Sequence, residues 1–364
     1  MNHSKSYSTN RKGRGFRFLL PVLFFLLLAA AVLICLMTRR NAIGAEKASL
    51  QEDLTTAAWL QVSGKETALS YERSLSAVDL ANTIQSFSND LFADNFHANA
   101  AYVEDQDGNV LFSLNEHDQH FPASMTKLMT ALVAAENTPD LDKTFTVADL
   151  EGCYEPDSML MDLQPGTEIS MRDVIHAMLM CSYNDCATAI AMQVGGSLDH
   201  FAEMMNQKAQ ELGLTNTHFV TPHGLHDDDH YTCAYDMTQI MKAAYQNDFL
   251  RDVMSKSTYD ISYTLDGQTY TETLTASSNF LNGTYSVPSM TYKAGKTGFT
   301  YVARSCLASV FEKDGTAYYG CVMDSWDASY NTMLIYDNHF DPLRLYQDSQ
   351  TTPVLKELVL STTY

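Results

Sequence analysis

The sequence predicts an α+β fold on three observations: β-rich segments near residues 100–114, a mainly helical block from about residue 122 to 250, and strand composition that returns from Tyr259. Strands, helices, then strands again argue for one domain. Its expected form is an antiparallel sheet lobe flanked by helices, with an all-helical lobe inserted into it. The chain has 364 residues, 45% hydrophobic and 11% aromatic, enough apolar side chains to fill such a core.

In chain order, residues 18–37 come first, an uninterrupted apolar stretch of 20 residues, the length a helix needs to cross hydrocarbon. Lys5, Arg11, Lys12, Arg14 and Arg17 precede it, and only Arg39 and Arg40 follow. That bias predicts a single-pass plasma-membrane protein, with residues 1–17 as a cytoplasmic tail and the rest outside. A cleaved signal peptide is the competing reading. The only small-residue exit, Ala42-Ile43-Gly44-Ala45, lies beyond two arginines, which favours a retained anchor.

Residues 41–77 are polar and weakly periodic, as in a stem; residues 78–350 are expected to form the folded domain and 351–364 a tail. Leu80, Ile84, Phe87 and Leu91 recur at helical spacing and predict an amphipathic helix. Segments 100–104 and 110–114 flank the turn-rich Asp105-Gln106-Asp107-Gly108-Asn109, a hairpin pattern. From Met125 to Ala135 the sequence is apolar nearly all round, so that helix is expected to be buried. Ser170 with Asp173 resembles a capping box, and Gly195-Gly196 and Gly213 punctuate further helices. Asp266-Gly267 and Asp314-Gly315 mark strand turns.

Charge and cysteines narrow the partners. The first 40 residues hold seven of the 23 Lys/Arg and none of the 44 Asp/Glu, leaving a net charge of −28 on the remainder. A phosphate backbone needs a basic surface, so nucleic acid is excluded as a partner. Seven cysteines include Cys35 in the apolar stretch; the other six show no metal-type spacing. If 303–311 and 316–323 form a hairpin, Cys306 and Cys321 fall nearly opposite each other, the best disulfide candidate. Free buried thiols fit equally well.

Three motifs carry chemistry: Ser124-Met125-Thr126-Lys127, Ser182-Tyr183-Asn184 and Lys296-Thr297-Gly298. A serine hydroxyl is a poor nucleophile until a base takes its proton. Residues i and i+3 share a helix face, so Lys127 can place Nζ near the Ser124 Oγ. Lysine acts as a base only if its pKa falls by several units, which burial and the charge of Lys296 would both favour. Ser124 at a helix start also directs its N–H and the helix dipole toward a developing oxyanion. An ordinary surface helix would show the same Ser-x-x-Lys spacing.

Ser182 and Asn184 fall where one helical pattern gives way to another. There Ser182 can relay a proton between Lys127 and a leaving amine, and the Asn184 amide can bind a substrate carbonyl. Both residue types also serve as plain helix caps. Lys296 and Thr297 together suit a terminal carboxylate, Gly298 lets a substrate backbone approach the strand edge, and the Phe299 N–H is the candidate second oxyanion donor. A strand-entry turn is the alternative.

In this order the motifs are the signature of penicillin-binding proteins and class A β-lactamases. Phe121-Pro122-Ala123, Asp185, Met205-Asn206-Gln207-Lys208-Ala209, Glu211-Leu212-Gly213, Thr217-His218-Phe219, Pro222-His223-Gly224-Leu225 and Ala234-Tyr235-Asp236 extend the match. From about residue 98 to 325 the chain resembles the low-molecular-mass serine D-Ala-D-Ala carboxypeptidases, of the S11 peptidase type. The resemblance implies a β-lactamase/DD-peptidase-like fold and a catalytic domain over 78–350. It further implies a peptidoglycan stem peptide as substrate, release of its terminal D-alanine through an acyl-enzyme on Ser124, and inhibition by β-lactam antibiotics. No cofactor and no metal are expected.

Two features depart from the family pattern. Val302-Ala303-Arg304 stands where Ala-Gly is usual, so Arg304 is expected either at the substrate carboxylate or in solvent. Only 68 residues follow Lys296, too few for the β-rich C-terminal domain and amphipathic anchor of many members. His223, His226 and His230 beside Asp227, Asp228 and Asp229 lack a recognised metal spacing. A β-lactamase, an acylated sensor without turnover and a transpeptidase remain alternatives; no carboxylate lies in 215–225 to serve as a deacylating Glu.

Overall fold

The computed structural model describes residues 77–150, 158–342 and 344. Helix α1 (Ala77–Asn95) leads into the expected hairpin, β1 (Ala98–Asp105) and β2 (Val110–Leu114). Its turn is fixed by the Asp105 carboxylate, which accepts from the backbone N–H of Asp107 and Asn109 at 2.9 Å each. Within α1, Leu91 packs on the domain; the side chains of Leu80, Ile84 and Phe87 lie outside the described residues. So do the expected span at 18–37, the stem up to residue 76 and the tail at 351–364. Among the described residues no helix is long and apolar enough to cross a membrane.

The predicted buried helix starts as a 3-10 turn (Ala123–Thr126) before α2 (Lys127–Asn137), whose residues from Lys127 to Ala134 are all buried. The block that follows is not purely helical: it contains β3 (Thr144–Thr146) and β4 (Glu168–Ser170) before α3 (Met171–Cys181), α4 (Asn184–Gly195), α5 (Leu198–Glu211), α6 (Ala234–Gln246) and α7 (Asp248–Ser255). Three residues are too short for a period-2 signal, which hid both strands. The Ser170 cap is present, its Oγ accepting from Asp173 N at 3.0 Å. Gly196 ends α4 at φ +75°, a conformation in which a Cβ would be strained.

Strands β5 (Thr258–Leu265) and β6 (Gln268–Thr275) join β3 and β4 in a small sheet ordered β3-β4-β5-β6. The structure therefore holds two sheets where one was expected. The larger adds β7 (Thr291–Thr300), β8 (Arg304–Lys313) and β9 (Thr316–Ser325) to the first hairpin, in the antiparallel order β2-β1-β9-β8-β7. Successive residues of β1 serve opposite faces: Ala100 and Tyr102 face the helical block, Ala101 and Val103 a second cluster. That second cluster is closed by Met333, Leu334, Ile335 and Tyr336 of α8 (Ala328–Phe340). The large sheet is thus buried on both sides, which explains the near-continuous apolar runs of β8 and β9.

Cys306 and Cys321 are not joined; both are free, buried thiols. A register shift between Ser305 and Leu307 sets Cys321 opposite Ala308, not Cys306. Their sulfurs take other neighbours: Cys306 Sγ donates to carbonyls of Phe121 and Ala303, and Cys321 Sγ contacts the Met125 sulfur.

Candidate active site

Strand β7 is an edge of the large sheet, and the 3-10 turn carrying Ser124 packs against it. A Cβ added at Gly298 would stand 2.8 Å from the Pro122 carbonyl oxygen and 3.1 Å from Ser124 N. The glycine is therefore required by the protein's own turn as well as by any ligand beside the strand. It brings the β7 backbone next to the Ser124 N–H, where the second donor expected from Phe299 follows one residue on.

The 3-10 start improves on the expected α-helix. At three residues per turn, positions i and i+3 eclipse, and Lys127 Nζ lies 3.0 Å from Ser124 Oγ. The same nitrogen is 2.6 Å from Asn184 Oδ1 and 2.9 Å from the His223 carbonyl oxygen. Both of these are acceptors only. A neutral amine has two N–H bonds and one lone pair; with the two hydrogens held by Asn184 and His223, the lone pair is left facing Ser124. That is the geometry of a general base.

Charge state agrees with geometry. Lys127 is fully buried, and burial, reinforced by the positive charge of Lys296, pushes its pKa well below the usual lysine range. Burial away from water thus biases the nitrogen toward the neutral amine that a base requires. Lys296 is 2% exposed, and burial brings its pKa down to about 7. Its Nζ donates to Ser182 Oγ at 3.0 Å and to the Thr297 carbonyl at 2.9 Å. An ammonium has three hydrogens, so one is left for an anion. Ser182, its oxygen accepting from Lys296, keeps its own proton to donate.

Ser182 sits between α3 and α4 as the residue ending α3, at φ +64°. The left-handed twist turns the chain toward β7 within one residue, at a cost of order 1–3 kcal/mol. Ser182 thereby meets Lys296, not the Lys127 expected from the sequence. Asn184 opens α4 with its side chain 5% exposed, its Oδ1 held by Lys127 and its NH2 group left as the donor.

Several supports were not evident from side-chain identity. Gly224, at φ +84°, lets the 222–225 loop press on the nucleophile turn, and this loop supplies the His223 carbonyl. Buried His230 braces it: Nδ1 accepts from Val220 N and Thr221 N, so Nε2 carries the proton and donates to Thr126 Oγ1 at 2.8 Å. Burial lowers its pKa to about 4, keeping the ring neutral. Asp185 accepts from the N–H of Met161, Leu163 and Cys186, fixing the loop over Asn184. Arg304 neither enters the cleft nor stands alone in solvent: it pairs with Asp324 at 3.3 Å and lies over the Trp326 ring. Among the described residues no group of three or more His, Cys, Asp and Glu gathers around a point that would hold a metal ion.

Residues 87–326 match the D-alanyl-D-alanine carboxypeptidase family, peptidase S11. The chain is 35% identical over 145 residues to the D-alanyl-D-alanine carboxypeptidase DacF of Bacillus subtilis, a match covering 39% of this chain and 37% of that one. It is 32% identical over 212 residues to the D-alanyl-D-alanine endopeptidase of Pseudomonas aeruginosa, covering 57% of this chain and 65% of that protein. The DacF match thus spans little more than a third of the relative's length. The crystal structure of the Streptomyces K15 DD-transpeptidase superposes with a TM-score of 0.62 at 24% identity, over 68% of this chain and 98% of that one. Its fold is the fold described above, a β-lactamase/DD-peptidase-like α+β architecture.

Proposed function

This chain belongs to the D-alanyl-D-alanine carboxypeptidase family, and from that premise we propose that it removes the terminal D-alanine of peptidoglycan stem peptides through an acyl-enzyme on Ser124. The observation that carries the reading is the Lys127 amine, whose two hydrogens are held elsewhere while its lone pair faces the Ser124 hydroxyl.

In this reading Lys127 takes the Ser124 proton as Oγ attacks the carbonyl of the penultimate D-alanine. The N–H groups of Ser124 and Phe299 receive the oxyanion. The C–N bond breaks as Ser182 passes a proton to the departing amine and takes one from Lys296, its hydrogen-bond partner; exchange with water returns that proton to Lys296 and removes the one held by Lys127. Water then repeats the sequence on the ester, restoring Ser124 and releasing the shortened peptide. Lys296 and Thr297 hold the terminal carboxylate, Gly298 admits the peptide beside β7, and the Asn184 NH2 group binds a substrate carbonyl. A β-lactam enters as an acyl donor whose ester persists.

Residues 18–37 anchor the protein in the plasma membrane in this proposal, with residues 1–17 cytoplasmic and the catalytic domain outside, where its polymeric substrate lies. The apolar length and the basic flank support that placement.

Incubation of wild type and Ser124→Ala with a D-Ala-D-Ala stem peptide, following free D-alanine, tests the reading. Release by wild type alone supports it; release that persists in the variant overturns the mechanism. Penicillin labelling without D-alanine release would instead identify a sensor, and rapid penicillin turnover a β-lactamase.

A further inference from the structure

The small sheet has one face made mostly of short hydroxyl side chains, with the carboxylates of Asp260 and Glu168 among them. On β5 the exposed or half-exposed Thr258, Asp260, Ser262 and Thr264 point outward, and their four partners on β6 are all exposed threonines. The row continues across the whole sheet: Thr264 is opposite Glu168 on β4, and Glu168 is opposite Thr146 on β3. Tyr259, Ile261, Tyr263 and Leu274 occupy the opposite, core-facing side. No lysine or arginine points from the outward face, although solvent-facing strands usually carry such long charged residues.

This face runs into the cleft. β6 ends at Thr275, whose carbonyl accepts from Cys181 Sγ at 3.6 Å, and Ser277 N donates to the Met180 carbonyl at 2.9 Å; Ser182 follows directly. At the other side β4 and β5 pair only through Glu168–Thr264 and Ile169–Tyr263, leaving an open groove of about 420 Å³. Its lining takes Glu168, Ser262 and Thr264 from the outward row and Tyr259 and Tyr263 from the inner side, with Arg172 held by Asp142. The volume falls in the range of small-molecule sites, about 300–1,000 Å³.

The chemistry selects the occupant. A polyanion is disfavoured by the net charge of −28 on residues 41–364, and an apolar partner would meet only threonine methyls on the outward face. Each threonine hydroxyl offers one donor and two acceptors, and the pairs Ser262–Thr271 and Thr264–Thr269 meet at a long 3.3 Å. Ligand hydroxyls can replace such bonds at little cost. We propose that this hydroxyl-faced sheet docks the neutral, N-acetylated glycan strand that bears the stem peptide, holding the polymer while the peptide end lies in the cleft. The proposal rests on the activity reading above and adds to it a second point of contact with the same substrate.

The test compares kcat/KM on a stem pentapeptide attached to a glycan strand with that on the free pentapeptide, for wild type and Thr269→Val/Thr271→Val. Valine keeps the β-branched shape and removes the hydroxyl. Wild type is expected to favour the glycan-attached form by about tenfold, and the variant to lose that preference with free-peptide turnover unchanged. Equal rates for the two substrates in wild type, or a variant that loses both, would overturn the proposal. Binding of the N-acetylglucosamine tetramer to Ser124→Ala protein, followed by shifts of β6 amide signals, separates docking from catalysis. If no D-alanine is released from either substrate the activity reading fails, while tetramer binding lost on adding Thr269→Val/Thr271→Val still supports docking and absence of any binding still refutes it.

Discussion

Gly224 lies so close to Ala123 that a Cβ added to it would stand 1.9 Å from the Ala123 carbonyl oxygen. Ala123 itself is held at φ +48°, immediately before Ser124. Gly224→Ala therefore adds a backbone clash to the roughly 1–2 kcal/mol cost of an L-residue in the left-handed region. A loss of more than about 2 kcal/mol is expected, lowering Tm by at least about 4 °C in a domain of this size. Penicillin labelling of Ser124 should fall with it, measured at a temperature where the variant is still folded.

Lys127→Met separates the base from the fold. Methionine fills the same buried space but carries no basic nitrogen to take the proton, so the acylation rate should fall by about 10²–10⁴. Stability should change little: removing a buried amine offsets two acceptors left unpaired, each costing about 1–3 kcal/mol. Stopped-flow acylation with a fluorescent penicillin and a thermal melt on the same sample give the two numbers. Unaltered acylation would remove Lys127 from the mechanism.

Acylation should show a bell-shaped pH profile. Lys127 must be neutral, so activity rises through its depressed pKa; Lys296 must be charged to hold a carboxylate, so kcat/KM falls above about 7. A bound carboxylate favours the charged form, moving the descending limb of kcat to higher pH than that of kcat/KM. Stability carries the opposite signature. Unfolded lysine keeps its proton up to about 10.4, so between about 7 and that value the unfolded chain binds more protons than the folded one, and stability rises with pH. Lys296→Met should remove its own share of that rise in urea melts taken from pH 7 to 10, leaving the share of Lys127.

The thiols of Cys306 and Cys321 should resist alkylation in the native state. Both are buried, and burial pushes Cys306 up to about 12 and Cys321 well above the usual thiol range. Mass spectrometry should find both unmodified after brief iodoacetamide treatment and both modified in urea without reductant. A disulfide surviving in urea would contradict the strand register of β8 and β9.

Asp185→Ala should loosen the loop that crosses Asn184. Three backbone donors lose their carboxylate, and the cost is expected at several kcal/mol. Hydrogen exchange at Met161 and Leu163 should accelerate before the large sheet opens.

Much of this was legible in the sequence because it depends on local periodicity. The hairpin at Asp105–Asn109, the buried helix after Pro122 and the cap at Ser170 each follow from spacing within a few residues. The i, i+3 placement of Ser124 and Lys127 was legible for the same reason. What was not legible depends on the third dimension. β4 exists only as a partner for β5 and β3 as a partner for β4, and Ser182 meets Lys296 because its φ is left-handed. The acceptor facing Lys127 from the 222–225 loop is a main-chain carbonyl, which no residue type announces. The choice between a Cys306–Cys321 disulfide and free buried thiols, open in the sequence, is decided for free thiols by a register shift of the same non-local kind.

The Lys127 amine joins residues 57 and 96 positions further along the chain. No locally folded fragment can satisfy it, since closing loops of that length comes late in folding. During refolding from urea, recovery of penicillin labelling should therefore lag behind recovery of helical circular dichroism, and the delay would time the final assembly of the molecule.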